Sequence, residues 1–257
     1  MTRIRKYPRT RHLLDSRLQP GDEDMTAAGF EEIAGRHIVV EEKVDGANAA
    51  ISFDGAGRLR LQSRGHYLTG GPREHHFAWF KSWAPAIRDT LWSAIGHRFI
   101  VYGEWLYAKH TIFYDALPHY FLEFDVLDLE TDRFLGTPER RRLLAGLPIH
   151  SVPVLHEGTV ASPKALKALV GPSAFKTSAW RDRLAEAAGK PPHVPDLVQR
   201  QTDPSPLMEG LYIKVEDSGS VTKRFKYIRQ DFMAAVIESE SHWQTRPILP
   251  NQLANNV

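Results

Sequence analysis

The chain has 257 residues, of which 42% are hydrophobic, 25% charged and 10% aromatic, proportions of an ordinary globular protein that set aside disordered, collagen-like and coiled-coil classes. It has no cysteine, which excludes a disulfide scaffold, a thiolate zinc site and a cysteine nucleophile and leans toward a reducing compartment. The formal net charge of +2 neither demands nor forbids a polyanionic partner. The segment Met1–His12 carries five basic residues (Arg3, Arg5, Lys6, Arg9, Arg11) and no apolar core, so it does not read as a signal peptide, and no apolar run is long enough to span a bilayer. A cytoplasmic protein is expected.

In chain order, residues 37–64 read as strands: HIVVEEKV and ANAAISF are short β-rich runs and RLRLQSR alternates, with a turn at Asp54-Gly55 and Gly57. Phe77, Phe80, Trp83, Ile87 and Leu91 recur at helical spacing, predicting an amphipathic helix over 74–95 with a break at Pro85. FIVYGEWLY and HYFLEFDVLD read as buried strands, 139–145 as a helix and SVPVLHEG as a strand. Residues 162–170 and 175–188 are helical in pattern, with Ser162-Pro163 as a start signal, and a proline-rich connector covers 191–206. GLYIKVED and SVTKRFKYI form a hairpin around Asp217-Ser218-Gly219, and 232–239 reads as a last helix. Strands in the middle with helices in separate blocks point to the α+β class with largely antiparallel sheets. No glycine-rich phosphate loop occurs, so a nucleotide would be bound by another architecture.

The chemistry-bearing feature is Glu42-Lys43-Val44-Asp45-Gly46 at the end of an apolar strand. Taken alone it could be an exposed turn with a solvated lysine. It is followed in order by Ser63-Arg64-Gly65, Tyr102-Gly103-Glu104-Trp105, Glu123-Phe124-Asp125-Val126, Glu209-Gly210-Leu211-Tyr212-Ile213-Lys214 and Lys223-Arg224-Phe225-Lys226. Phe124 by itself would be plain core, and Glu209-Gly210 a simple turn. Glu104, set in an aromatic β-run, requires a partner or solvent because a bare buried carboxylate is costly.

As an ordered set these segments resemble the six collinear motifs of the covalent nucleotidyltransferase superfamily, the polynucleotide ligases and messenger-RNA capping enzymes. The spacings are most similar to the bacteriophage RNA ligases that seal nicks in duplex RNA and to their bacterial relatives. SRLQPGDED, LQSRGHYLTGG and GEWLYAKHTIFYD also resemble a bacterial RNA ligase subfamily.

The resemblance implies an ATP-dependent RNA ligase. Lys43 would be the nucleophile that takes AMP from ATP, with Mg²⁺ or Mn²⁺ as the divalent ion and RNA ends as the partner. Glu42 would lie beside the adenine and Phe124 would stack on it. Gly46 would permit a tight turn. Asp45, Glu104 and Glu209 would face the nucleotide as ribose contacts or hold the waters of the metal. Arg64 would contact the ribose or a phosphate, Lys226 the α-phosphate, and Asn48 would assist sealing. The first basic residue of the last motif is either Arg224 or, one register earlier, Lys223. A lysine with a pKa near ~10.4 is a poor nucleophile at neutral pH, so desolvation and nearby positive charge, from a metal ion or a basic side chain, are expected to lower it. Asp125 reads as structural. His66, His110 and Lys109 are minor candidates for phosphate contacts, and no histidine pair has zinc spacing.

About thirty residues follow Lys226, too few for a five-stranded oligonucleotide-binding barrel. The expectation is one nucleotidyltransferase domain over 1–257, with a helical insertion at about 160–190 and a short tail from about 231. A DNA-nick ligase, a guanylyltransferase and an inactive nucleic-acid-binding relative remain the alternatives. No membrane and no protein partner is implied.

Overall fold

The computed structural model describes residues 4–18, 25–232 and 247–254. Eleven strands form one sheet: β1 (Arg11–His12), β2 (Ile38–Lys43), β3 (Ala47–Phe53), β4 (Leu59–Ser63), β5 (Phe99–Trp105), β6 (Phe121–Asp128), β7 (Arg133–Leu135), β8 (His150–Ser151), β9 (Val154–Gly158), β10 (Gly210–Asp217) and β11 (Ser220–Ile228). Six helices interrupt them: α1 (Ala78–Ala86), α2 (Arg88–Ile95), α3 (Thr137–Leu144), α4 (Pro163–Lys167), α5 (Trp180–Ala188) and α6 (Pro195–Arg200). The strand order is β4-β3-β5-β6-β7-β11-β10-β2-β9. Among the strands of the described residues, β1 on β11 and β8 on β6 pair in parallel and the rest antiparallel. The sheet is narrow in its middle, where β7 meets β11 through Leu135–Ser220 and Phe134–Val221 alone. One half of the sheet packs Ile51, Phe53, Val101 and Phe121 against Phe80, Leu91 and Ile95 of α1 and α2. The other half buries Ile38, Val40, Ile213 and Phe225. Among the described residues no helix is long and apolar enough to cross a membrane.

The expected helix over 74–95 is a 3₁₀ turn at Pro72–Phe77 followed by α1 and α2. Pro85 occupies the last turn of α1, lacks the N–H that would continue the ladder, and the chain breaks at Ile87. Ser162 caps α4 by accepting from the Ala165 N–H at 3.1 Å. The second predicted helix begins only at Trp180, because Thr177 is held out of helical geometry by Asp115, which accepts from its N–H at 2.8 Å and from its hydroxyl at 2.5 Å. The proline-rich connector contains α6, with Pro195 in its first turn, where a missing N–H costs nothing. Beyond Phe232 the predicted last helix lies outside the described residues. The described residues after β11 carry only isolated bridges, Ala108 with Pro250 and Leu117 with Leu253. Residues 247–254 thus pack back on the loop that follows β5, where the Asn251 amide donates to the Leu106 carbonyl at 2.7 Å.

Gly210 starts β10 where that strand crosses β11 most closely. A Cβ there would lie 1.9 Å from the Tyr227 carbonyl oxygen, which is backbone and cannot swing away. Gly210→Ala is therefore expected to cost about 3 kcal/mol, a Tm loss of roughly 6–12 °C by calorimetry. A loss under 2 °C would show that the two strands separate at little cost.

Candidate active site

A cleft of about 650 Å³ opens between the two halves of the sheet, lined by Lys43, Asp45, Asn48, Arg64, Glu104, Phe124, Glu209 and Lys226 together with Tyr7, Thr10 and Tyr212. Lys43 is the last residue of β2 and pairs with Gly210 of β10, which places Glu209 directly beside it. The Lys43 Nζ donates to Glu209 Oε2 at 2.7 Å, and the Glu209 carboxylate is fully buried. Across the cleft Asn48 of β3 is the register partner of Glu104 of β5, so both side chains issue from one row of the sheet. The Asn48 Oδ1 is buried without a hydrogen-bond partner. Arg64 stands at the exposed rim, just past β4.

The turn after Lys43 is short because Gly46 passes against β5: a Cβ on Gly46 would lie 2.6 Å from a Leu106 methyl and 2.7 Å from the Trp105 carbonyl oxygen. Close approach, more than turn geometry, makes glycine necessary here. Asp45 is anchored on both sides. Its Oδ2 accepts from the Thr111 and Ile112 N–H groups at 2.7 and 2.9 Å, and its own N–H donates to the Tyr114 hydroxyl at 2.8 Å. Its Oδ1 lies 3.9 Å from His110 Nδ1.

The protein groups around Lys43 are chiefly carboxylates. Burial pulls its pKa down, but the Glu209, Glu104 and Asp45 carboxylates outweigh burial and raise it. The amine is thus held as an ammonium by its carboxylate neighbours. Glu209 is raised by burial and by Asp45, against the lowering effect of Lys43 and Lys226. Glu104 is pushed up to about 8 by burial, with Glu209 and Asp45 adding repulsion that Lys43 and Arg64 only partly offset. His110 is pushed down to about 4, mainly by burial, so its ring is neutral at pH 7.

A raised carboxyl pKa is a stability cost that grows with pH. Below about 4.5 Glu104 is protonated folded and unfolded and contributes nothing; between there and about 8 only the unfolded chain ionises it, so stability falls as pH rises. Glu104→Gln is accordingly expected to raise Tm at pH 8 by several degrees, corresponding to about 2–4 kcal/mol, and to leave Tm at pH 4.5 unchanged. Equal Tm values for variant and wild type at both pH values would contradict this.

Two candidates have side chains engaged by other partners. Glu42 lines the cleft, and its carboxylate accepts from the Ser173 hydroxyl at 2.5 Å and the Ala174 N–H at 3.0 Å. Arg224 does not line the cleft: its Nε donates to Asp125 at 2.8 Å and its guanidinium lies 3.8 Å from the Phe134 ring centre. The buried Asp125 carboxylate is shared among Arg224, Lys214 and the Tyr7 hydroxyl. Lys223, the other register, donates to Glu32 on the surface at 3.0 Å. Of the minor candidates, His66 and His110 line the cleft, whereas the Lys109 ammonium donates to the His110 and Gln201 carbonyls.

Sequence reasoning missed the aromatic wall. Tyr7 meets Phe124 edge-on at 5.0 Å, and Tyr212 lies 6.1 Å from it. The hydroxyls of Tyr7 and Tyr212 are 2.6 Å apart. Tyr212 was visible as the residue two past Gly210 on the same strand, but Tyr7 lies among basic residues with no pattern to mark it. Among the described residues no three His, Asp or Glu side chains converge to ligate a metal directly.

A β-sheet cleft with a lysine at its centre, carboxylates around it and an aromatic wall agrees with the family comparison: the RNA ligase family model matches residues 36–228, and the chain belongs to that family. Solved structures with the same fold include a lysine-to-alanine variant of the Naegleria gruberi RNA ligase with ATP and Mn, at 18% identity and a TM-score of 0.50 over 78% of this chain and 51% of that one. A glutamate-to-alanine variant with AMP and Mn matches at 17% identity and a TM-score of 0.50 over 86% and 59%. The chain thus spans about half to three fifths of the length of those proteins. A comparison with curated proteins returns no match.

Proposed function

We propose that the chain is an ATP-dependent RNA ligase that joins 3′-hydroxyl and 5′-phosphate ends, built as one nucleotidyltransferase domain with the helical insertion at about 160–190. The observation that carries this reading is the Lys43 amine 2.7 Å from a buried Glu209 in a cleft large enough for a nucleotide. The adenine stacks on Phe124, with Tyr7 and Tyr212 closing that end. Lys226, at the buried edge of the cleft, neutralises the α-phosphate.

The Lys43 Nζ attacks the α-phosphorus, forming a P–N bond as the bond to the bridging oxygen breaks and pyrophosphate leaves. Before attack the ammonium must lose a proton, and the hydrogen-bonded Glu209 carboxylate, itself raised by burial, is the group placed to take it. An oxygen of the RNA 5′-phosphate then attacks the same phosphorus, the P–N bond breaks and the amine is released. Finally the 3′-hydroxyl attacks the 5′-phosphorus and AMP departs. Each step is an in-line displacement whose barrier is lowered chiefly by positioning and charge neutralisation.

The donor set fits a hydrated divalent cation. Asp45, Glu104 and Glu209 crowd around one ammonium, and Glu104 is pushed up to about 8 first by burial and then by repulsion from Glu209 and Asp45, which a further cation would relieve. These three carboxylates would hold the waters of Mg²⁺ or Mn²⁺, which when bound supplies positive charge beside the α-phosphate and favours the neutral amine. The ATP- and AMP-bound, manganese-containing relatives support the same choice.

The test is incubation with ATP labelled at the α-phosphate, then sealing of matched nicked duplexes that differ only in ribose or deoxyribose at the nick. Acid-stable label on the protein from ATP and not GTP, with ribose-dependent sealing, is the expected result. Label from GTP would make the chain a guanylyltransferase. Equal sealing of deoxyribose nicks would make it a DNA-nick ligase, and no label at all a binding relative.

A further inference from the structure

Glu42, just before Lys43, and Asp45, two residues after it, are both tied to segments outside the nucleotide motifs. On one side the Glu42 carboxylate, 1% exposed, is held by the Ser173 hydroxyl and the Ala174 N–H. On the other side the Asp45 N–H is held by the Tyr114 hydroxyl, and Tyr114 is fully buried. Those two holders are joined to each other. The Asp115 and Ala116 N–H groups both donate to the Phe175 carbonyl at 3.1 Å, and Asp115 accepts from Thr177. The Tyr114 backbone is fixed in turn by Asn251, whose Oδ1 accepts from the Tyr114 N–H at 2.8 Å. The Asp203 N–H closes the frame on the Thr111 carbonyl at 2.9 Å.

We infer that Tyr114 and Ser173 are positioning residues: the helical insertion and the loop after β5 form one brace that grips Glu42 and Asp45 and so sets the direction of the Lys43 amine. The inference rests on Lys43 being the nucleophile. A lysine side chain has four rotatable bonds, and its approach line is defined only if the backbone that bears it is fixed. Lys43 sits at the last ladder position of β2, where strand pairing stops restraining the chain. The brace takes over at that point. Misplacement of a reacting atom by about 1 Å costs up to ~10²-fold in rate, whereas nucleotide affinity, set by Phe124 and Lys226, is untouched by it. The insertion is thus a part of the adenylation machinery more than a surface for gripping RNA.

The test compares Tyr114→Phe, Ser173→Ala and Ser173→Thr with wild type in the full chain. Tyr114→Phe deletes one buried oxygen without a cavity, and Ser173→Thr keeps the hydroxyl. Single-turnover adenylation should slow by about 10-fold or more in Tyr114→Phe and Ser173→Ala, with KM for ATP within about two-fold, and Ser173→Thr should recover most of the rate. Hydrogen exchange of the peptide spanning 42–46 should quicken in the two impaired variants while that of β3 and β5 stays at the wild-type rate. Wild-type adenylation rates in both variants overturn the inference, as does a rise in KM that accounts for the whole defect. A wild-type chain that takes no label from ATP defeats the ligase reading instead. The exchange measurement then decides the brace alone, and unchanged exchange over 42–46 in both variants would refute it.

Discussion

Lys43→Ala is expected to abolish transfer of AMP from ATP to the protein, with a loss of at least ~10⁴-fold in the adenylation rate. No other amine in the cleft is placed to replace it. Lys226 lies on β11, one strand beyond β10, and Lys214, although on β10 itself, is fully buried between Glu41 at 2.8 Å and Asp125 at 3.4 Å. Lys43→Arg should fail as completely, because it restores the cation beside Glu209 but supplies a guanidinium that stays protonated and cannot attack phosphorus. The pair of variants therefore separates two jobs that one ammonium performs. If the charge were what mattered, arginine would retain activity. Both variants should still seal a nick whose 5′-end has been adenylated beforehand, since the final displacement breaks a P–O bond and not the P–N bond at Lys43. Acid-stable label on Lys43→Ala protein would assign the nucleophile to another residue.

The legibility of this site follows from where its information is stored. Lys43, Asp45, Glu104 and Glu209 were readable from the order of the motifs in which they stand; of the four, Glu104 was also marked by its own setting, because a carboxylate inside an aromatic strand is expensive unless used. Side-chain direction was less readable. Glu41 and Glu42 are neighbours on one strand and necessarily point to opposite faces, yet nothing local says which face meets the cleft. Arg224 and Lys226 share a face of β11, and only the position of Asp125 on β6 decides that the arginine is consumed by an ion pair while the lysine remains at the cleft. The charge immediately around Lys43 was unreadable for a related reason. The sequence contains basic residues near every motif, but three-dimensional proximity to Lys43 belongs to the carboxylates. In the fold, the long periodic strands were recovered and the two-residue strands β1 and β8 were not. They are too short to show alternation and exist only because β11 and β6 offer them partners. The helix α6 was hidden by prolines that mark a connector as readily as a first turn.

The largest expected stability effect lies beneath the aromatic wall of the cleft. Arg140, the first of three arginines that in sequence resemble a solvated charge cluster, is 1% exposed. Its guanidinium lies 2.5 Å from Glu41 and 3.3 Å from Glu123 and also donates to the Phe124 carbonyl. With Lys214, Arg224 and Asp125 it makes a buried network of three cations and three carboxylates. Such a network contributes little net stability while complete, because desolvation offsets attraction, but losing one member strands its partners. Arg140→Met keeps the volume and removes the charge, and is expected to cost about 3–5 kcal/mol, or roughly 6–20 °C in Tm. The pH dependence gives the sign. Glu123 is already raised by burial, with Arg140 as the largest opposing influence, so the substitution raises it further. A folded carboxyl pKa above its unfolded value costs stability that increases with pH above the unfolded value, so the defect should be larger at pH 8 than at pH 5. Adding Glu123→Gln to Arg140→Met should recover part of the loss at pH 8 and little of it at pH 5. Because the Phe124 carbonyl loses one of its anchors, the variant should also bind ATP more weakly at a temperature where it remains folded, seen as a raised KM in adenylation. A pH-independent defect would mean that the arginine stabilises by packing alone, and the buried charges would then have to be neutral already.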